Sequence, residues 1–188
     1  GNGSVDPILF YYIQGKSFPY ASRDELIAQL PMLKKRFLDY ETYSSAVFET
    51  IFTDEEQQKS KELVATTFET SVFINGEQNK FSRIPLPFQA QFAPVFSIGV
   101  VDVNGDDFLD IVLGGNLEKI RVRTGKYTGN NGFIFTGSSD GSYRYLNQKK
   151  SGLDVLGDVR QIIVDGKRLL FAINNADVLA YEIENLIP

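Results

Sequence analysis

The stretch VVDVNGDDFLDIVLGG, residues 100–115, places three aspartates and one asparagine between two apolar runs. Asp102, Asn104, Asp106 and Asp110 form a DxNxDxxxD pattern, at positions 1, 3, 5 and 9 of the loop. The apolar runs predict two strands, and the Asn-Gly pair between them is typical of a hairpin turn. A turn alone explains that pair but not the regular spacing of the carboxylates, so the pattern indicates a further role for the loop.

The spacing of these oxygen-bearing residues predicts a site for a hard divalent cation. Ca²⁺ takes six to eight oxygen ligands, and Mg²⁺ fits less well because it needs stricter octahedral geometry. The predicted calcium ligands are the side chains of Asp102, Asn104, Asp106 and Asp110 and the backbone carbonyl of Phe108. Position 6, where a positive φ favours glycine, holds Asp107, which predicts a lower affinity rather than loss of the site.

The composition limits the chemistry that the chain can perform. It has 188 residues, 43% of them hydrophobic, with no cysteine and no histidine, which excludes thiol nucleophiles, disulfides, Cys/His zinc sites and histidine triads. A net charge of -5 argues against nucleic acid held by bulk charge. The longest apolar runs fall well short of the roughly 20 residues of a membrane helix, so we expect no membrane insertion.

The first 63 or so residues and the rest of the chain differ in the spacing of their apolar residues. Residues 7–14 predict a strand, and SRDE at 22–25 has the form of a capping box that opens a helix, with Pro31 starting a further turn. A second helix is predicted at about 41–52. From residue 64 onward apolar and polar residues alternate with a period of two, which predicts short antiparallel strands. These strands are predicted at 64–74, 80–86, 95–102, 109–114, 120–124, 132–137, 142–146, 159–164, 168–174 and 177–183.

Two segments of the chain match two later segments. Residues 72–84 match 134–146, and residues 97–116 match 158–175, with Val101 and Asp102 placed over Val164 and Asp165. The later copy has lost the acidic loop and carries Lys167 and Arg168 in its place. We therefore expect no cation near Asp165.

The N-terminus matches the same loop in part. Residues 1–9 align with 105–113, which places Asn2 over Asp106 and Asp6 over Asp110, as a truncated metal loop. The start GNGSVDP has no methionine and no signal-peptide features, which predicts a piece of a longer protein.

The acidic loop, with FSIG (96–99) before it and GGN (114–116) after it, resembles the FG-GAP or VCBS repeat of integrin-type β-propellers. The order DPILFYYIQGKSFPYASRDEL, FETSVFIN, LPFQAQFAPVF and RVRTGKYTGNNG is similar to the C-terminal part of bacterial VCBS-repeat proteins grouped with the ASPIC/UnbV family. The resemblance implies antiparallel propeller blades of four strands, here a partial propeller. It also implies a secreted, periplasmic or outer-surface location and a binding role.

The expected fold is therefore mainly β with a helical insertion. Its expected parts are a remnant of a first repeat unit (1–19), the helical segment at about 20–62, and two repeat units within 63–188, at about 63–130 and 131–188. Because the faces and edges of a partial propeller are uncovered, we expect either a homo-oligomer or an edge covered by the helical insertion.

The favoured function is a noncatalytic calcium-binding module that binds a protein or glycan ligand of unknown identity. Most tyrosines are expected to serve packing rather than ligand contact. One alternative is a carbohydrate-active enzyme that uses a carboxylate pair. The other is an RNA-binding module through Arg121, Arg123 and Lys126, which would alternate on one strand face; a charged strand edge is the preferred interpretation of these residues.

Overall fold

A computed structural model of the chain describes residues 5–185, and it is mainly β with five short α-helices. The chain divides into two compact units between Ala65 and Thr66. Within residues 5–185, none of the helices has the length and apolar character that crossing a membrane requires.

The N-terminal unit combines one hairpin with a series of short helices. Strands β1 (Phe10–Ile13) and β2 (Lys16–Pro19) pair antiparallel around a Gln14-Gly15 turn in which both residues have positive φ, as a type I′ turn requires. The helical elements are α1 (Arg23–Gln29), a 3₁₀ helix (Pro31–Lys35), α2 (Tyr40–Ser44), α3 (Phe48–Ile51) and α4 (Asp54–Gln58).

Local sequence signals fix where these helices begin. Ser22 and Glu25 form the predicted capping box of α1, and Pro31 is the first residue of the 3₁₀ helix, where its missing N–H costs nothing. The helices enclose a small apolar core of Leu26, Leu33, Phe37, Ala46 and Ile51. The predicted helix at 41–52 is wrong in one respect, because residues 45–47 break it into α2 and α3.

The C-terminal unit contains three antiparallel sheets. Strands β3 (Ser71–Asn75) and β4 (Phe81–Pro85) form a hairpin. Strands β5 (Val95–Val101), β6 (Asp110–Gly115), β7 (Phe133–Gly137) and β8 (Tyr143–Leu146) form a four-stranded sheet in sequential order. After α5 (Gln148–Ser151), strands β9 (Val159–Asp165), β10 (Arg168–Ile173) and β11 (Leu179–Glu182) form a three-stranded sheet, also in sequential order.

The four-stranded sheet buries apolar side chains on both faces. All six residues of β6 are buried, which agrees with its nearly continuous apolar sequence. We call the face toward the three-stranded sheet its inner face; Val112 and Ile134 there share a core with Ile162, Leu169 and Phe171. Its outer face carries Ile111, Leu113, Phe133 and Phe135, which pack with Leu86, Ala90 and Val72.

Glycines let the two sheets approach closely. A Cβ on Gly114 would lie 2.5 Å from Cγ1 of Val159, and one on Gly99 would lie 3.0 Å from Cγ2 of Ile162. The backbone N–H of Ile162 also donates to Oγ of Ser97 at 2.7 Å, which ties β9 to β5 across the sheets.

The predicted strands are mostly present, with two corrections. The strand predicted at 64–74 is confined to Ser71–Asn75. The strand predicted at 120–124 is wrong: residues 122–124 form a turn within a long β6–β7 connection that the isolated Leu117–Tyr127 bridge closes. Glycine at position 125 with positive φ and the exposed polar surroundings favour this turn over a strand.

Candidate metal site

The acidic loop connects β5 to β6, at one end of the four-stranded sheet. Val101 opposite Asp110 is the last ladder pair before the loop. Gly105 and Asp107 adopt positive φ of 77° and 68°, so the residue at position 6 does take the left-handed conformation that aspartate tolerates.

Asp102 organises the first half of the loop. Its Oδ1 accepts hydrogen bonds from the backbone N–H groups of Asn104 (3.1 Å), Gly105 (2.7 Å) and Asp106 (3.3 Å), and its Oδ2 accepts one from Asp107 (2.9 Å). Burial acts to raise the pKa of Asp102, but these four backbone donors outweigh it and hold the pKa below its ordinary value. Asp102 is therefore ionised at neutral pH.

Asn104 and Asp106 lie next to each other in the exposed turn. The side-chain amide of Asn104 donates to Oδ2 of Asp106 at 2.8 Å, and the backbone N–H of Asp106 donates to Oδ1 of Asn104 at 3.0 Å. The backbone N–H of Phe108 donates to Oδ1 of Asp106 at 2.9 Å. The loop thus brings the side chains of positions 3 and 5 into contact, whereas the side chain of Asp102 at position 1 is bonded to backbone N–H groups.

Asp110 has a different environment from the other three predicted ligands. It is completely buried, and its two oxygens accept hydrogen bonds from the backbone N–H groups of Val103 and Gly137, each at 2.8 Å. Burial raises its pKa; the two N–H donors oppose the rise, and the charges of Asp106 and Asp102 add to it. Asp110 therefore ties the loop to the end of β7.

The loop offers only oxygen donors, which are the ligands that a hard cation prefers, but its carboxylates are bonded to backbone N–H groups. Across residues 5–185, no three acidic side chains converge on one point as the ligands of a bound ion do. A carboxylate offers about four acceptor sites, and Asp110 uses two of them on the N–H groups of Val103 and Gly137. The loop therefore supplies the oxygen donors that Ca²⁺ takes, but within the described residues they do not converge as a set of ligands.

The connection between β9 and β10 is the counterpart of the acidic loop in the next sheet. Asp165 opposite Arg168 is its closing ladder pair, and Gly166 and Lys167 form a two-residue turn. Asp165 pairs with Arg168 at 2.8 Å, and Lys167 pairs with Glu184. Two cationic side chains thus stand at this turn, as the sequence predicts.

The ladders correct the sequence match by one residue. The closing pairs place Val101 over Asp165 and Asp110 over Arg168, whereas the sequence match placed Val101 over Val164. The sequence match aligned Asp102 with Asp165. Because the β9–β10 turn has only two residues, Asp165 is instead a paired residue at the end of β9. The carboxylate of Asp110 is therefore replaced by the guanidinium of Arg168.

The other predicted site residues are not brought together. Asn2 lies outside the described residues, and Asp6 lies in an exposed segment ahead of β1. Arg121, Arg123 and Lys126 do not share a strand face, because the segment is a turn, and Lys126 approaches Glu118 at 3.6 Å.

Among the tyrosines, Tyr143 and Tyr145 pack against the core, whereas Tyr11 and Tyr12 are exposed.

A buried polar network that the sequence did not predict lies at the opposite end of the four-stranded sheet. Asn116, with φ of 79°, donates to the carbonyl of Asn130 at 2.6 Å and accepts from its backbone N–H at 2.8 Å. Asp158 accepts from the backbone N–H of Glu118 and from Arg160. The asparagines in GGN and GNNG were the available signal, because asparagine tolerates positive φ and bonds to backbone.

Comparison of the chain with protein-family models, with curated proteins and with solved structures finds no match.

Proposed function

We propose that this chain is a noncatalytic calcium-binding β-repeat module of the FG-GAP/VCBS kind, in which the acidic loop binds the ion. The observation that carries the proposal is the position of the loop. Its oxygen donors lie at the hairpin turn between the first two strands of a sequential four-stranded antiparallel sheet.

The arrangement of the sheets supports a repeat. The four-stranded and three-stranded sheets both run in sequential antiparallel order, and each begins with a hairpin whose connecting loop lies after a seven-residue strand. The two hairpins pack against each other through a shared apolar core. Blades of a propeller stack in this way, with one sheet face against the next.

The chemistry of the loop supports calcium as the ion. The side chains of Asp102, Asn104, Asp106 and Asp110 and the carbonyl of Phe108 would hold it, with water completing the shell. The bound ion would neutralise the three carboxylates, whose mutual repulsion contributes to the raised pKa of Asp110. In the proposed role, calcium makes the loop rigid and performs no reaction.

The proposed setting is a secreted, periplasmic or outer-surface protein with a protein or glycan ligand. This part of the proposal rests on the sequence resemblance and on the suitability of a weak calcium loop for extracellular calcium concentrations. The exposed aromatic side chains of the β1–β2 hairpin, Tyr11 and Tyr12, are suited to contact such a ligand.

Calorimetric titration of the chain with Ca²⁺ tests the proposal. Asp106→Asn and Asp107→Asn each remove one negative charge from the same loop, but only Asp106 belongs to the proposed ligand set. We expect Asp106→Asn to weaken calcium binding at least about tenfold and Asp107→Asn to weaken it only a few-fold.

Three results would contradict the proposal. One is the absence of calcium binding by the parent chain, and another is equal weakening by the two substitutions. The third is hydrolysis of glycans that disappears when a carboxylate is replaced, which would favour the enzyme.

A further inference from the structure

The outer face of the four-stranded sheet is only partly covered. Over β6, β7 and β8 it packs with Leu86, Ala90 and Val72. Over β5 it is open: Ile98 is 57% exposed and Val100 is 51% exposed. They lie opposite Leu113 and Ile111 in the ladder, so they continue the same apolar face to the edge of the sheet.

The equivalent positions of the three-stranded sheet show how such a face is buried. The closing ladder pairs place Ile98 over Ile162 and Val100 over Val164. Ile162 is only 7% exposed, because it packs on the inner face of the four-stranded sheet beside Gly99 and Val112. Val164, nearer the end of the strand, is 37% exposed, so the face is buried at Ile162 in one sheet and open at the equivalent Ile98 in the other.

The outer face of the three-stranded sheet carries an open apolar row next to a charged row, in which Arg168 lies opposite Asp165 and Glu182. Ile163, Leu170 and Ala180 form one row across its three strands, and Ile163 is 46% exposed. By the same ladder equivalence, Ile163 and Leu170 stand where Gly99 and Val112 stand in the four-stranded sheet. This row therefore corresponds to the surface that receives Ile162 within the chain.

We propose that the chain associates head to tail, with the outer face of the three-stranded sheet of one copy packed on Ile98 and Val100 of a second copy. The contact follows the same order of faces as the packing of β9 on β5 within the chain, with the sheets further apart because Ile163 stands in the place of Gly99. Because the two surfaces differ, the interface is heterologous, so association continues into a ring or a longer assembly.

Sedimentation velocity over a wide concentration range tests this interface. The substitutions Ile98→Lys and Ile163→Lys each place a charge on one of the two open surfaces, at side chains that are already half exposed and tolerate replacement. Val122→Lys is the matched control, because Val122 is 99% exposed in the turn of the β6–β7 connection. We expect the parent and the control to self-associate, and each of the other two variants to remain a single chain.

A mixture of the two interface variants distinguishes head-to-tail packing from a symmetric dimer. Ile98→Lys retains the donor surface around Ile163, and Ile163→Lys retains the receiving surface around Ile98. The mixture is therefore expected to form a complex of two chains and nothing larger.

A parent chain that stays monomeric at every concentration would overturn the proposal, as would an Ile163→Lys variant that dimerises alone. Thermal melting of each variant confirms folding. The same runs with Ca²⁺ and with EDTA separate this interface from the loop, because the interface is expected to form in both.

Discussion

The turns that close the β5–β6 and β9–β10 hairpins occupy the same place in two packed sheets but are held in opposite ways. In the acidic loop the carboxylates accept hydrogen bonds from backbone N–H groups: those of the loop itself at Asp102, and those of Val103 and of Gly137 in β7 at Asp110. The β9–β10 turn has only two residues, and its charges are paired between side chains, Asp165 with Arg168 and Lys167 with Glu184.

The difference shows what the longer loop adds to a hairpin. Two residues are enough to connect the strands, since Gly166 with φ of 59° makes the β9–β10 turn. The additional residues of the acidic loop concentrate the carboxylates of Asp102, Asp106 and Asp110 at one turn. Within residues 5–185 their hydrogen bonds come from backbone N–H groups and from the amide of Asn104, not from a positively charged side chain. A bound cation would supply that missing charge.

The largest expected difference in stability is between an alanine substitution at Asp110 and one at its counterpart, Arg168. Asp110→Ala leaves the buried N–H groups of Val103 and Gly137 without acceptors, so we expect a loss of about 3 kcal/mol in the free energy of unfolding. Arg168→Ala removes only an exposed ion pair and should cost less than about 0.5 kcal/mol. Urea unfolding measures both values, and similar losses for the two variants would contradict the comparison.

The next effect concerns sheet packing beside the two turns. Gly114 and Ala172 occupy equivalent ladder positions. A Cβ on Gly114 would meet Val159 at 2.5 Å, so Gly114→Ala should cost about 2 kcal/mol. Ala172→Gly should cost about 0.5–1 kcal/mol, through backbone entropy. Thermal unfolding of the pair checks this, and a neutral Gly114→Ala would show that the sheets separate more easily than the packing indicates.

A smaller effect is expected from calcium. With an extracellular-type Kd of about 10⁻⁴ to 10⁻³ M, about 1 mM Ca²⁺ should add roughly 0.4–1.4 kcal/mol to the stability of the parent chain. Asp106→Ala should abolish this gain, and Asp165→Ala should retain it. Melting curves with Ca²⁺ and with EDTA measure the gain; an Asp106→Ala variant that responds like the parent would refute the loop as the site.

The smallest effect lies at the β9–β10 turn. Asp165 and Arg168 are both more than half exposed, so Asp165→Asn should change stability by less than about 0.5 kcal/mol. Salt should reduce even this difference, since it screens exposed charges. Urea unfolding at low and high salt provides the measurement. A larger loss that persists at high salt would mean that the turn depends on Asp165 in another way.

Much of the fold could be predicted because its signals are local. The capping box at Ser22 and Glu25 and the apolar runs that form β5 and β6 depend on neighbouring residues, and both predictions are confirmed. The strand predicted at 120–124 is wrong because alternating Arg and Val residues are typical of a strand, whereas the Leu117–Tyr127 bridge closes this segment into a turn.

The candidate site was predictable in its residues but not in its contacts. The spacing of the aspartates places them in one loop, but it does not reveal that Asp110 is buried and accepts hydrogen bonds from the N–H groups of Val103 and Gly137. That arrangement depends on β7, which lies more than twenty residues further along the chain. The network of Asn116 and Asn130 was missed for the same reason, since its partners are distant in sequence.

The most direct test of calcium binding at the acidic loop is a ¹H–¹⁵N NMR titration of the chain with Ca²⁺. The backbone amides of Gly105 and Asp107 belong to the acidic loop, and that of Gly166 belongs to its counterpart. We expect saturable shifts for Gly105 and Asp107 and none for Gly166. Unchanged amides in the acidic loop, or equal shifts at both turns, would contradict the assignment of the site.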